Sequence, residues 1–233
     1  MNRPYPLIDF HSHILPGADH GSSGTKESLN QLEIIKAFGV DTVVATPHFY
    51  PNSANMDEFL QLVAFSAEKL SRREERSPRI CLGAEVLYCA GLHQMDRLES
   101  LCIRGTNVLL LELPMDGWSE DLFYTVESLT RRFTVVLAHI DRYIHTQKAE
   151  IYELLRLGAF AQINGYAFDS FGKRRKLAPI LESDRVVALG SDLHGTDKKT
   201  YQKFIDSKKR LGDTFDVIME RSAKLLESAE YLD

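Results

Sequence analysis

Histidines and carboxylates recur in this chain where short apolar runs end. Leu7–Phe10 leads into His11-Ser12-His13, Thr42–Thr46 into Pro47-His48, Ile80–Gly83 into Ala84-Glu85, and Thr134–Ala138 into His139. Val108–Leu111 is followed at once by Glu112, and Val186–Leu189 by Gly190 and then Ser191-Asp192-Leu193-His194. Side chains alternate along extended backbone, so His11 and His13 face one way, and Asp192 and His194 repeat that spacing. Imidazole plus carboxylate without thiolate suits Zn²⁺, Mn²⁺ or Fe²⁺, not Cu(I) or an iron–sulfur cluster. Five histidines, two glutamates and an aspartate exceed the ligand set of one ion, which predicts a cluster of two or three. A lone His-x-His, or a lone Glu after a strand, is usually incidental. Independent chance would scatter these residues rather than place them all behind one kind of segment.

The segments that must position these groups are Leu7–Phe10, Thr42–Thr46, Ile80–Gly83, Val108–Leu113, Thr134–Ala138, Ala159–Ile163 and Val186–Leu189. They are nearly continuous apolar runs, as strands covered on both faces should be. Helical patterns lie between them. Leu29, Leu32, Ile35 and Phe38 form one stripe that stops at Gly39. Ser119 is a suitable N-cap, with Glu120 and Asp121 at the positive end of the dipole and Leu122, Val126, Leu129 and Phe133 at helical spacing. A third helix is expected from about Thr146 to Leu157, before Gly158. Strand–helix alternation predicts an α/β fold with a parallel sheet and crossover helices. Periodicity leaves open whether seven such units close into a barrel. In either form, sites are built at the C-terminal ends of the strands, where these histidines and carboxylates fall.

The chain has 233 residues, 44% apolar and 26% charged, which predicts a single domain over 1–233 with a large core. A net charge of −5 argues against nucleic acid or an anionic membrane as partner. No apolar run is long enough to span a bilayer, and residues 1–10 hold two prolines and no signal-peptide core. Cys81, Cys89 and Cys102 read as reduced thiols in a cytoplasmic protein. The residues six beyond them are Leu87, Met95 and Val108, so no Cys-x5-Arg phosphatase loop exists. His93 and His145 read as surface or packing residues, and Lys173–Lys176 as a solvated helix face.

Taken together, these blocks resemble the PHP (polymerase and histidinol phosphatase) superfamily. Within it they are similar to the bacterial protein-tyrosine phosphatases of the CpsB/YwqE type, which act on tyrosine kinases of capsular and extracellular polysaccharide synthesis. The resemblance runs through Ile8-Asp9-Phe10-His11-Ser12-His13-Ile14-Leu15-Pro16-Gly17, Ala45-Thr46-Pro47-His48, Gly83-Ala84-Glu85 and Leu111-Glu112-Leu113. It continues in Leu137-Ala138-His139-Ile140-Asp141-Arg142-Tyr143, Gln162-Ile163-Asn164, Ser191-Asp192-Leu193-His194 and Ala223-Lys224-Leu225-Leu226-Glu227. It implies a distorted (β/α)7 TIM-like barrel and three divalent ions, with Mn²⁺ expected and Fe²⁺ or Zn²⁺ as alternatives. One ion would take His11, His13, Glu85 and Asp192; a second would share Glu85 and take Glu112 and His139. A third would take His48, His194 and His20, which stands where the family commonly has a carboxylate; Asp19 would support a ligand. Of the family's two phosphate-binding arginines, Arg142 matches the first. Lys199 aligns with the second and supplies charge without a bidentate fork.

The chemistry implied is metal-assisted hydrolysis of a phosphomonoester. Arg142 and Lys199 would neutralise the non-bridging oxygens, and Asp192 or a histidine of the cluster would protonate the leaving group. The expected substrate is a phosphotyrosine protein, in particular a bacterial tyrosine kinase. The alternatives are histidinol phosphate or another small ester, and, in a different class, a non-catalytic metal-binding regulatory domain. The metals' identity and the oligomeric state stay open. Rim segments Phe49–Asn55, Met115–Trp118 and Tyr166–Lys173 carry Phe49, Tyr50, Trp118, Tyr166 and Phe168, any of which could flank a phenyl ring or pack.

Overall fold

The computed structural model describes residues 5–73 and 78–232. Residues 1–4, part of the opening segment read above for a signal-peptide core, lie outside the described residues. The strands are β1 (Ile8–Ser12), β2 (Thr42–Ala45), β3 (His48–Phe49), β4 (Arg79–Leu82), β5 (Glu85–Leu87), β6 (Val108–Glu112), β7 (Thr134–Leu137), β8 (Phe160–Asn164) and β9 (Val186–Gly190). The helices are α1 (Thr25–Ala37), α2 (Met56–Ser71), α3 (Glu120–Thr130), α4 (Lys148–Arg156), α5 (Phe171–Leu181), α6 (Lys198–Leu211) and α7 (Asp213–Leu225). Every strand expected from the sequence forms, with ends moved by a residue or two. Ser119 does occupy the cap of α3, although its hydroxyl makes no capping hydrogen bond.

The two unexpected strands, β3 and β5, prolong β2 and β4 after short breaks. The first break is at Thr46-Pro47, where proline cannot donate to the ladder; the second is at Gly83-Ala84. Hydrogen bonds keep the two halves in line: Gly83 N–H donates to Ala45 O (2.9 Å) and Glu85 N–H to Pro47 O (3.1 Å). Pairing then runs β1-β2-β4 in one sheet and β3-β5-β6-β7-β8-β9 in the other, all parallel. Two bonds join the ends. Asp192 N–H donates to His11 O (2.8 Å) and His13 N–H to Leu193 O (3.2 Å), so the chain just past β9 pairs with β1. With β2/β3 and β4/β5 each counted as one stave, this is the distorted (β/α)7 barrel.

Buried apolar side chains form one contiguous core from Leu7 to Leu226. The apolar runs of the barrel strands are buried, with exposure confined to strand ends such as Arg79; Leu109, Leu110 and Leu111 are 0% exposed. Leu110 pairs in register with Glu85 on one side and Val136 on the other. Leu110→Ala is therefore expected to destabilise the protein by about 2–5 kcal/mol, read as a lower urea midpoint with unchanged slope. No helix among the described residues is long and apolar enough to cross a membrane.

Candidate metal centre

The ends of the staves bring the predicted ligands into one buried cluster. Glu85, 0% exposed, lies at its middle. Its carboxylate oxygens lie 2.7 Å from His139 Nε2, 3.0 Å from His48 Nδ1, 3.1 Å from His11 Nε2 and 3.5 Å from His13 Nε2. Asp192 Oδ1 is 3.4 Å from His13 Nε2 and 3.7 Å from His11 Nε2. Glu112 approaches His139 at 3.5 Å and His48 at 3.7 Å. Three overlapping groups present their ligand atoms within 4.8 Å of one another: His11, His13 and Asp192; His48, Glu85 and Glu112; and His13, His48 and His194. His20 is exposed and lies on the outer side of the last group, its ring 4.8 Å from that of His48 and 4.6 Å from that of His194.

This donor set fits divalent cations. Glu85 Oε2, Asp192 Oδ1, His48 Nδ1 and His194 Nε2 are buried with no hydrogen-bond partner. Orphaned polar atoms converging from several strands would be costly unless a cation satisfied them. Two residues of the cluster also sit on strained backbone, with φ +33° at His139 and +52° at Asp192. Such positions cost about 1–3 kcal/mol each and persist only where surrounding contacts hold them. At His139 the kink turns the chain out of β7 into a short 3₁₀ turn that carries Arg142 back over the centre.

Neutral and acidic partners fix the ligands from behind. Gln162 Oε1 accepts from His139 N–H (2.6 Å) and faces His11 Nδ1 (3.2 Å), which leaves His11 Nε2 for a cation. Asp19 lies 2.6 Å from His13 Nδ1 and accepts from His48 N–H at 3.1 Å, so the loop carboxylate anchors two ligands. Asp9, fully buried, accepts from Ser191 N–H (2.8 Å), Ser191 Oγ (2.6 Å) and the Tyr201 hydroxyl (3.1 Å), bracing the turn that bears Asp192. Burial pushes the Asp9 carboxyl up to about 6 in spite of those donors. Gly190 completes the fit: a Cβ there would lie 2.6 Å from His11 Cβ and 2.7 Å from Gln162 Nε2.

The charges show what a cation must displace. Burial opposes a charge on His13, but hydrogen bonds to Asp19 and Asp192 outweigh it and raise the imidazole to about 10. Burial also opposes a charge on His139, which Glu112 and Glu85 raise to about 9. Glu85 and Asp192 are held well below the usual carboxylate range; burial works against this, but the surrounding histidines, His11 foremost, prevail. Protons on the imidazoles thus balance the carboxylates when no cation does. A ligand imidazole must be neutral, so cation binding releases those protons and weakens as pH falls. Because the two values are about 10 and about 9, this competition persists through neutral pH and fades only as pH rises past them. Calorimetric titration of Mn²⁺ in buffers of different ionisation enthalpy should show release of about two protons at pH 7, with tighter binding at pH 8 than at pH 6.

Arg142 spans the two outer carboxylates, its guanidinium 2.6 Å from Asp192 Oδ2 and 3.4 Å from Glu112 Oε1. Lys199 is in the first turn of α6, its N–H donates to the Asp197 cap, and it borders a cavity of about 740 Å³ together with Asn30 and Phe38 of the α1 region. Among the described residues, no hydrogen bond or ion pair joins Lys199 to the ligand groups. Lys173 departs from the solvated face expected of it: its Nζ is 3.2 Å from the buried Asp141 carboxylate, beside the site. Of the rim aromatics, Phe49 and Phe168 are core residues, while Tyr50 is 39% exposed and Trp118 and Tyr166 are half-buried. Cys81 and Cys102 are buried thiols, pushed up to about 12 by burial. His93 packs edge-on against Tyr124, and His145 accepts from Lys176.

Residues 7–217 match the family model described as capsular polysaccharide synthesis, CpsB/CapC. The chain is 26% identical to the tyrosine-protein phosphatase YwqE of Bacillus subtilis (strain 168), covering 94% of this chain and 91% of that protein. It is 28% identical to the tyrosine-protein phosphatase CpsB of Streptococcus agalactiae, covering 82% and 84%. Its fold superposes with a TM-score of 0.76, at 20% identity and over 96% of each chain, on a structure from crystallography of YwqE of Bacillus subtilis and CpsB of Streptococcus pneumoniae, described as metal-dependent tyrosine phosphatases.

Proposed function

We propose that this chain, which belongs to the CpsB/CapC family of capsular polysaccharide synthesis, is a metal-dependent protein-tyrosine phosphatase. Its substrate in this reading is a phosphotyrosine protein of the cytoplasm, in particular a bacterial tyrosine kinase. The observation that carries the reading is the pairing of three overlapping ligand groups with an arginine spanning their two outer carboxylates. The match in length with curated tyrosine phosphatases supports it.

Three divalent ions, Mn²⁺ first, would be held by His11, His13, Glu85 and Asp192; by Glu85, shared, with Glu112 and His139; and by His48 and His194 with His20 on the open side. Held there, such ions supply positive charge for phosphoryl oxygens and a water-derived nucleophile at neutral pH. The chain's own residues do the rest. Arg142 presents fixed N–H donors where charge accumulates on the non-bridging oxygens. Asp192, kept anionic, holds that guanidinium in place. Tyr50, its ring 5.4 Å from that of His48, offers an exposed face to an aryl ring. Met115, in the loop after β6 (64% exposed), and Phe171, at the start of α5 (72%), are open to solvent, which suits a peptide better than an enclosed metabolite.

The test is turnover of p-nitrophenyl phosphate and a phosphotyrosine peptide with Mn²⁺, beside the chelator-treated enzyme and His139→Ala. Peptide turnover lost in both controls is expected. Turnover of the small ester alone would replace the protein substrate with a metabolite. Metal binding without turnover of either would favour a non-catalytic domain.

A further inference from the structure

Gln162, Asn164 and Tyr166 follow one another along the end of β8 and the turn after it. Their hydrogen bonds have only one consistent direction. The direction is set by a backbone amide, which can only donate. Gln162 Oε1 accepts from His139 N–H at 2.6 Å, so the other end of that side chain is its nitrogen. Gln162 Nε2 then donates to Asn164 Oδ1 at 2.9 Å, which fixes the second amide in turn. Asn164 Nδ2 spends its two hydrogens on Asp192 Oδ2 (3.0 Å) and on the Tyr166 hydroxyl oxygen (2.9 Å). Tyr166 is therefore an acceptor here. Arg142, which has no acceptor atoms, donates to Asp192 Oδ2, the same oxygen that accepts from Asn164 Nδ2, so its guanidinium lies on this side of the cluster. A pure donor meets the phenol oxygen, and among the described residues no hydrogen bond is given by the hydroxyl. That hydrogen is left for something beyond the protein.

The position is rigid. A Cβ at Gly165 would lie 2.6 Å from Phe204 Cα, so the turn bearing Tyr166 is clamped directly against α6. Lys173 Nζ sits 5.7 Å from the centroid of the Tyr166 ring. A half-buried phenol with a free O–H, beside an arginine on the metal centre and a lysine at its ring, meets the needs of an anion made only of acceptors.

We propose that the Tyr166 hydroxyl donates a hydrogen bond to a non-bridging phosphoryl oxygen of the bound ester, next to Arg142. This rests on the phosphatase reading and adds a substrate-contacting residue to it. Tyr166→Phe removes only the hydroxyl. A lost hydrogen bond to a charged group should lower kcat/KM by about 10- to 100-fold. The loss should be equal for p-nitrophenyl phosphate and for phenyl phosphate, because the contact is not to the leaving oxygen. Equilibrium binding of inorganic phosphate to the manganese-loaded protein should weaken by about tenfold or more, with metal content unchanged. Should the Phe variant melt well below the wild type, 3-fluorotyrosine at position 166 serves instead. It retains the hydroxyl, so activity should be near normal while the phenol is protonated and fall as it ionises. Wild-type protein that hydrolyses neither ester would remove the phosphatase reading itself. Wild-type turnover with an unchanged Phe variant, in both activity and phosphate binding, would overturn this contact alone. So would a loss that grows with the basicity of the leaving group, or, in the fluorotyrosine protein, no fall on ionisation.

Discussion

Glu85→Gln is expected to lower phosphatase activity by at least about 10³-fold, since the charge stabilisation it supports is worth several kcal/mol. The shape of the side chain is kept; its charge and one acceptor are not. Four imidazole nitrogens lie within 3.5 Å of this one carboxylate, three of them facing Oε2, yet none makes an aligned hydrogen bond to that oxygen. An amide offers one oxygen and a nitrogen that cannot bind a cation, so two of the three ligand groups lose a shared neighbour. The loss should be one of metal binding rather than of folding. Wild-type protein at 100 times its dissociation constant for Mn²⁺ gains about 2.7 kcal/mol of stability, seen as a rise in Tm. The variant should lose most of that rise while its metal-free Tm stays within a few degrees. A variant that keeps both its manganese and its turnover would show that Glu85 is not a ligand.

The candidate ligands are legible in the sequence because they are chemically distinctive and sit behind apolar runs of one kind. His11, His48, Glu85, Glu112, His139 and Asp192 each follow or end a strand, and the barrel does the converging. The residues that orient them carry no such mark. Gln162 and Asn164 are neutral amides, and only the hydrogen bonds to His139, His11 and Asp192 reveal their task. Asp9 reads as one polar residue within an apolar strand, yet it is fully buried and holds the turn of Asp192 from beneath. Closure of the barrel is equally hidden. It depends on backbone bonds between His11 or His13 and residues about 180 positions later, and periodicity carries no information at that range.

The resemblance aligns Lys199 with a second phosphate-binding cation by offset along the chain alone. The Asp197 cap starts a helix there, and Lys199, in its first turn, borders a cavity beside α1. The cation that does reach the site's edge, Lys173, comes from α5, in a basic run that composition alone assigns to solvent.

Arg142→Ala is expected to lower kcat/KM by about 10²–10³-fold, the usual effect of removing a fixed donor from a site of developing charge. Unlike Glu85→Gln, it should leave metal binding intact or make it tighter. The guanidinium is a cation already seated on Asp192 and Glu112, and its removal leaves both carboxylates with more negative charge for the ions. Inorganic phosphate should move the opposite way and bind more weakly. Arg142→Lys should recover little, because an ammonium is a point charge and cannot span two carboxylates 2.6 and 3.4 Å away while also presenting a fork to phosphate. Measured together, manganese affinity, phosphate affinity and turnover separate the roles. A ligand's loss weakens all three, whereas loss of a phosphate-binding arginine weakens the last two and spares the first. Weakened manganese binding in Arg142→Ala would mean that the arginine holds the ligands in place, and phosphate recognition would then fall to Tyr166 and Lys173.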